Sequence, residues 1–302
     1  MGFILAIVTA IFFPGIILRV KSIASGRKGP GILQPWQNIL VLLRKGSVFS
    51  VTTSYIFRIA PVIYLSAILC ALLLLPFPGI PSVFGFEGDF VLFAYLLALG
   101  KFLFILGALD TGSSFEGMGA NREALYSMLV EPAFFILFGT LALLTGHTSM
   151  QQIFESFQFA GHNSFIIGFI AVYLLVQIAM IENSRMPVDD PRTHLELTMI
   201  HEVMILEHSG FDLALMHIGT ALKFALYGGL IANFLIPVEW PVFMRIALFF
   251  GIQAIFSAMI GLMESFRARK KLAKNPQFIV TLSSIAILCF ILVLLITFKM
   301  IG

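Results

Sequence analysis

The sequence predicts an all-α integral membrane protein with eight transmembrane helices, an interfacial amphipathic helix and both termini outside. Three observations carry that expectation. The chain is 59% hydrophobic, with a mean hydropathy of +0.99 and only 12% charged residues, where a soluble domain carries about a quarter. Apolar runs long enough to cross a hydrocarbon core of about 30 Å, at 1.5 Å of rise per residue, recur eight times. Basic residues collect in alternate connections, as they do in loops left in the cytoplasm.

The predicted spans are Phe3 to Leu18, Ile59 to Phe77, Phe90 to Leu109, Leu125 to Leu144, Phe165 to Ile181, Leu213 to Leu235, Val242 to Met263 and Phe278 to Phe298. The start, MGFILAIVTAIFF, lacks a basic leader and a small-residue cleavage site, so it reads as a retained helix. Residues 31–51 form the interfacial segment, apolar from Ile39 to Val48 with Arg44-Lys45 toward headgroups. It is either an amphipathic connector or a surface on which a partner docks. Residues 1–302 make one transmembrane domain, and 182–212 a cytoplasmic loop within it.

Fifteen of the nineteen Lys and Arg residues fall on one side of this arrangement. Lys101 and Lys223 lie inside spans, Arg245 near a span end and Lys299 at the far terminus. The net charge of +3 follows from this asymmetry and calls for no nucleic acid. Cys70 and Cys289 each sit in an apolar span without metal-ligand spacing, so the chain holds no iron–sulfur cluster by itself and any redox chemistry belongs to a partner.

Mid-span charges are costly in hydrocarbon and mark packing pairs or ion routes. Lys101 either pairs with a neighbouring carboxylate to fix packing or serves in a relay. Residues 110–123 read as a Gly- and Ser-rich cytoplasmic loop, and Glu131-Pro132 lies about two turns into the fourth span. Proline there removes a backbone hydrogen bond, which leaves carbonyls free to hold water beside Glu131. That acid either exchanges a proton near neutral pH or forms a static pair with Arg122 or Lys101.

The densest chemistry is in Glu182 to Asp212, with seven of sixteen carboxylates and three of six histidines. Met186-Pro187 and Asp190-Pro191 disfavour helix, so 183–191 should be extended. Arg192 to Glu207 should be a helix, with Thr193 as a possible cap. On it His194, His201 and His208 fall within about 40° of one another, and Glu196 and Glu207 share another face. The seven-residue histidine spacing excludes a zincin motif. Imidazoles titrating near neutral pH between cytosol and bilayer suit proton transfer.

Four motifs occur here in an order resembling one family: Gly26 to Pro30 with Leu33 to Pro35, Arg122 to Pro132, Glu182-Asn183-Ser184-Arg185-Met186-Pro187-Val188-Asp189-Asp190-Pro191, and Glu207-His208-Ser209-Gly210. The chain resembles the complex I subunit 1 family, which includes the membrane anchors of energy-converting group 4 [NiFe] hydrogenases and of formate hydrogenlyase. The resemblance implies a proton-pathway anchor beneath a cytoplasmic arm of hydrogenase-like large and small subunits and iron–sulfur proteins, next to antiporter-like membrane subunits. It implies the plasma membrane of a prokaryote, a nickel–iron centre and iron–sulfur clusters in the partners, and no cofactor in this chain.

Matched to the family's motifs, the pathway acids are Glu131, Glu182, Asp189, Glu196 and Glu207. Asp190, His201 and Glu202 join them from the same stretch, with Lys101 and Lys223 at mid-membrane. Arg27, Lys28, Arg122, Arg185 and Arg192 are the expected contacts to the arm, with shaping the cavity as the other role open to Arg27 and Arg185. Complex I members tend to read PFDLPEAESEL where this chain has PVDDPRTHLEL, and Asn38 stands where they tend to have an acid. Those departures, with the longer interval from Glu196 to Glu207, favour the hydrogenase branch over the alternative, a quinone-binding membrane subunit of a complex I-like NADH or ferredoxin:quinone oxidoreductase. A self-sufficient antiporter would show an inverted repeat, and none is found in the sequence.

Overall fold

The computed structural model describes residues 1–158, 163–189, 200–267 and 274–298. Eight of its helices are long and apolar enough to cross a membrane. They are α1 (Gly2–Ala24), α3 (Tyr55–Leu74), α4 (Asp89–Asp110), α5 (Ser114–Thr145), α7 (Asn163–Glu182), α9 (Gly210–Leu235), α10 (Val242–Phe266) and α11 (Asn275–Thr297). Three shorter helices lie between them: α2 (Gln34–Leu43), α6 (Met150–Gln158) and α8 (His201–Met204). With eight crossings, the described chain begins and ends on one face, here the terminal face. The other is the loop face.

α9 is the axis of the bundle: 78% of its most apolar stretch is buried, against 28% for α11. α3 pairs with α4, α5 with α11 and α1 with α10, while α9 touches α1, α3, α7 and α10. Phenylalanines fill the joints. Phe13 of α1 stacks on Phe224 of α9 with centroids 5.1 Å apart, and Phe93 of α4 on Phe134 of α5 at 5.9 Å.

The expected spans are present, with corrections near the loop face. Within the segment 31–51 the helix α2 spans only Gln34–Leu43, and the residues after it are strapped to the start of α9. Ser209 accepts from the Val48 amide at 2.8 Å. At Gly210, with φ of +53°, a β-carbon would run into the Gly46 carbonyl oxygen. Only a glycine fits both demands.

Residues 114–123, expected as loop, are the first turns of α5. Gly119 serves close packing: a β-carbon there would lie 2.9 Å from the Ile200 carbonyl oxygen, so its absence lets the chain before α8 rest against α5. Residues 183–189, expected to be extended, fold into tight turns. Ser184 has φ of 47°, Arg185 N–H donates to Met180 O at 2.8 Å, and Asp189 N–H to Arg185 O at 3.2 Å.

The expected helix from Arg192 to Glu207 is replaced, in its described part, by the four residues of α8 followed by a turn. Residues 190–199, with Asp190, Arg192, His194 and Glu196, lie outside the described residues. His201 and His208 do not share a helical face. His201 stacks on Phe104 at 5.1 Å and His208 on Phe57 at 3.9 Å.

Candidate functional site: a buried charge quartet

Four spans each contribute one ionisable side chain to a single cluster inside the bundle. Lys101 of α4 places Nζ 2.9 Å from Glu123 Oε1 of α5 and 3.0 Å from Glu182 Oε2 of α7. Lys223 of α9 reaches the same Glu182 oxygen at 2.9 Å and donates to the Glu182 backbone carbonyl at 2.7 Å. All four side chains are under 10% exposed. Two ammonium and two carboxylate groups cancel, which is what allows ions to stay in an interior that penalises any unpaired charge.

The loop after α7 is bonded into this cluster by its first residues. Ser184 Oγ donates to Glu123 Oε2 at 2.9 Å. Arg185 turns inward, with its guanidinium 3.2 Å from Glu264 Oε1 and 5.1 Å from the Phe224 ring centroid. Glu264, its side chain fully covered, also takes Lys21 at 2.7 Å. This Lys21–Glu264–Arg185 triad joins α1, α10 and the loop.

Water-sized spaces flank the quartet. A cavity of about 40 Å³ is lined by Lys101, Glu182, Tyr227 and Glu131. A second, of about 10 Å³, is lined by Lys101, Glu123, Glu182, Asn183, His201 and Lys223. One water needs roughly 10–15 Å³ of such volume, so the second fits about one and the first two or three.

Of the residues expected in the pathway, Lys101, Lys223 and Glu182 meet directly, and Glu131 and His201 stand at the two cavities. Glu131 forms no ion pair among the described residues; it sits on the lateral surface of α5. Asp189, buried, accepts from the amides of Ile200 at 3.1 Å and His201 at 3.2 Å, so it anchors the return of the loop. Glu207 is exposed at the loop face, though its amide donates to buried Glu116 at 3.0 Å. Glu202 is partly exposed there.

Of the residues expected at the arm, Arg27 and Lys28 are exposed, Arg122 is partly covered and bonded to Met118 Sδ at 3.0 Å, and Arg185 faces its own chain. Glu123 and Glu264 were not among the expected residues. The signal for Glu123 was its spacing of seven from Glu116, which puts both on one face once 114–123 is helical.

Burial holds the two described histidines of the loop, His201 and His208, below the ordinary imidazole range. His208 is 4% exposed, and burial pushes its pKa down to about 4. His201 is pushed to about 3, first by burial and then by the positive neighbours His217, Lys223, Arg185 and Lys101. Both rings are therefore neutral at pH 7. A neutral imidazole still accepts a proton at one nitrogen while donating from the other.

An eight-span membrane subunit whose interior carries a balanced ionic cluster and whose loop face carries the long polar connection is the class of protein that these features define. Its residues 1–297 match the NADH dehydrogenase family, and the chain belongs to that family, in the complex I subunit 1 branch that the four linked motifs marked. It is 33% identical over 225 residues to hydrogenase-4 component C of Escherichia coli (strain K12), covering 74% of this chain and 70% of that one. It is 30% identical over 209 residues to formate hydrogenlyase subunit 4 of the same organism, covering 69% and 67%. In fold it matches a chain of the membrane-bound sulfane sulfur reductase, an archaeal respiratory membrane complex, with a TM-score of 0.82 at 20% identity over 96% of each chain.

Proposed function

We propose that this chain is the membrane-anchor and proton-pathway subunit of a multisubunit, energy-converting [NiFe] hydrogenase-type complex. Electron transfer in a docked cytoplasmic arm shifts the 182–212 loop, and the loop shifts the quartet. The observation that carries the reading is the Lys101–Glu123–Glu182–Lys223 cluster, with a cavity on either side and Ser184 bonded into it.

In this role the loop face is cytoplasmic, since it holds the exposed Arg27 and Lys28. α2 lies along that interface. Arg27, Lys28 and Arg122 face an arm of hydrogenase-like large and small subunits with iron–sulfur proteins; Arg192, assigned to the same docking, lies outside the described residues. The nickel–iron centre and clusters belong to those partners, and this chain contributes no redox group. A proton enters past His201, passes the quartet as Lys101 changes its preference between Glu123 and Glu182, and leaves past Tyr227 to Glu131. From there it continues to antiporter-like membrane subunits. The complex sits in the plasma membrane of a prokaryote.

The test uses the whole complex in inverted vesicles with Glu182→Gln and Glu131→Gln variants. Ion-gradient formation should be lost while dye-linked hydrogenase activity of the arm is retained. A normal gradient in both variants overturns the pathway, and an arm without nickel overturns the hydrogenase assignment.

A further inference from the structure

Away from the quartet, at the terminal face, a groove of about 670 Å³ opens on the side of the bundle. That is within the range of about 300–1,000 Å³ typical of small-molecule sites. One wall is a stripe on α7: Phe165, Gly168, Phe169 and Val172, spaced to fall on one helical face. The stripe covers seven residues of rise, about 10 Å, or some two thirds of one leaflet's hydrocarbon. Phe157 of α6 and Phe234 of α9 form the opposite wall. Gly168 keeps the floor open: a β-carbon there would already lie 3.1 Å from the Phe157 ring.

Among the described residues, Glu239, exposed in the connection between α9 and α10, is the one charged residue lining the groove. Gln158 is committed to the protein, donating to Ile236 O at 2.7 Å and accepting from Val238 N–H at 2.9 Å. Trp240, next to Glu239 and 39% exposed, sits where tryptophan collects at the edge of a bilayer. Glu87 is also exposed on this face, whereas Arg245 is buried and donates to the Pro78 carbonyl. Among the described residues the charge beside the groove is therefore negative, which favours a cationic headgroup over an anionic one.

We propose that this groove holds an acyl chain of a phospholipid with a primary-amine headgroup, whose ammonium meets Glu239. An apolar wall two turns deep in the leaflet accepts the tail, and the Glu239 carboxylate at the rim selects the head. The site does not depend on the proton-pathway reading.

The experiment is mass spectrometry of lipids retained by the intact membrane complex, purified in mild detergent after exchange into equal phosphatidylethanolamine and phosphatidylglycerol. The wild type should retain the ethanolamine lipid preferentially. Glu239→Lys should lower the ethanolamine-to-glycerol ratio about fivefold, the scale of one exposed ion pair lost. Gly168→Leu should reduce retention of both lipids, and Glu87→Lys should leave the ratio unchanged. An unchanged ratio in Glu239→Lys, an equal change in Glu87→Lys, no retained lipid in the wild type, or a helix of another subunit seated in the groove would each overturn the proposal.

Discussion

Replacing Lys101 by Met isolates the electrostatics of the quartet. The methionine keeps most of the apolar stem and deletes an ammonium that lies 2.9 Å from Glu123 and 3.0 Å from Glu182. Glu182 keeps Lys223 at 2.9 Å, but Glu123 is left with the Ser184 hydroxyl at 2.9 Å. Removing one partner of a buried pair costs about 3–5 kcal/mol because the other charge stays behind. For a chain of 302 residues, at about 2 °C per kcal/mol, that is a drop in Tm of about 6–10 °C. The distinguishing result is a change of sign. Glu123→Gln should destabilise the wild type, whose Lys101 loses a counter-charge, and should restore about 2–3 kcal/mol in the Lys101→Met background, where it removes the stranded anion. Thermal unfolding of the four proteins in one detergent measures this directly. If Glu123→Gln destabilises both backgrounds equally, the two groups are not coupled and the account of the cluster fails.

Three further outcomes follow from the same structure. His208, with its pKa lowered from 6.5 to about 4, stays neutral when folded while the unfolded chain takes up a proton. Its contribution is therefore complete above pH 6.5 and is lost as pH falls toward 4; between pH 7.5 and 5 this amounts to about 2 kcal/mol. A His208→Phe variant should show that much less acid sensitivity in unfolding, and an unchanged pH dependence would contradict the burial. Glu264→Ala should cost about 3–5 kcal/mol by stranding Lys21 and Arg185, with Glu264→Asp recovering part of it; equal Tm values for Ala and wild type would show the triad to be inert. Gly210→Ala combines a left-handed φ of +53° with a collision against Gly46 and should cost at least about 2 kcal/mol. A neutral effect on thermal stability would mean that the strap between residues 46–48 and α9 is absent.

The spans were legible because hydrophobicity over about 20 residues is a summed signal that no single side chain can reverse. The site was less legible because its geometry depends on where helices stop. Glycine lowers helix propensity, so 110–123 read as loop and Glu123 went unnoticed. In the fold, packing against Ile200 needs Gly119, and tertiary contact overrides propensity. Glu264 lies just past the predicted end of an apolar span, and its partners Lys21 and Arg185 are 243 and 79 residues away in sequence. For Arg185 the resemblance left two roles open, contact with the arm or shaping of the cavity, and the turns after α7 aim it at Glu264. The histidine stripe needed an unbroken helix to His208, and the chain instead turns after Met204.

The position of Glu182 explains how a loop can act on ions that it does not contain. It is the last residue of α7, so the Lys223 ammonium meets both its carboxylate and a carbonyl at the negative end of a helix dipole. Two of the next three residues each hold a different acid, Ser184 holding Glu123 and Arg185 holding Glu264. A small rotation of this turn therefore alters three attachments together: the carbonyl offered to Lys223, the hydroxyl offered to Glu123 and the guanidinium offered to Glu264. Because the quartet has no net charge, weakening any one of its contacts leaves an uncompensated ion, and the readiest compensation is gain or loss of a proton through the adjoining cavities. Under the proposed role, a turn moved by the docked arm thus becomes a change in protonation several residues away, with no redox group in the membrane domain.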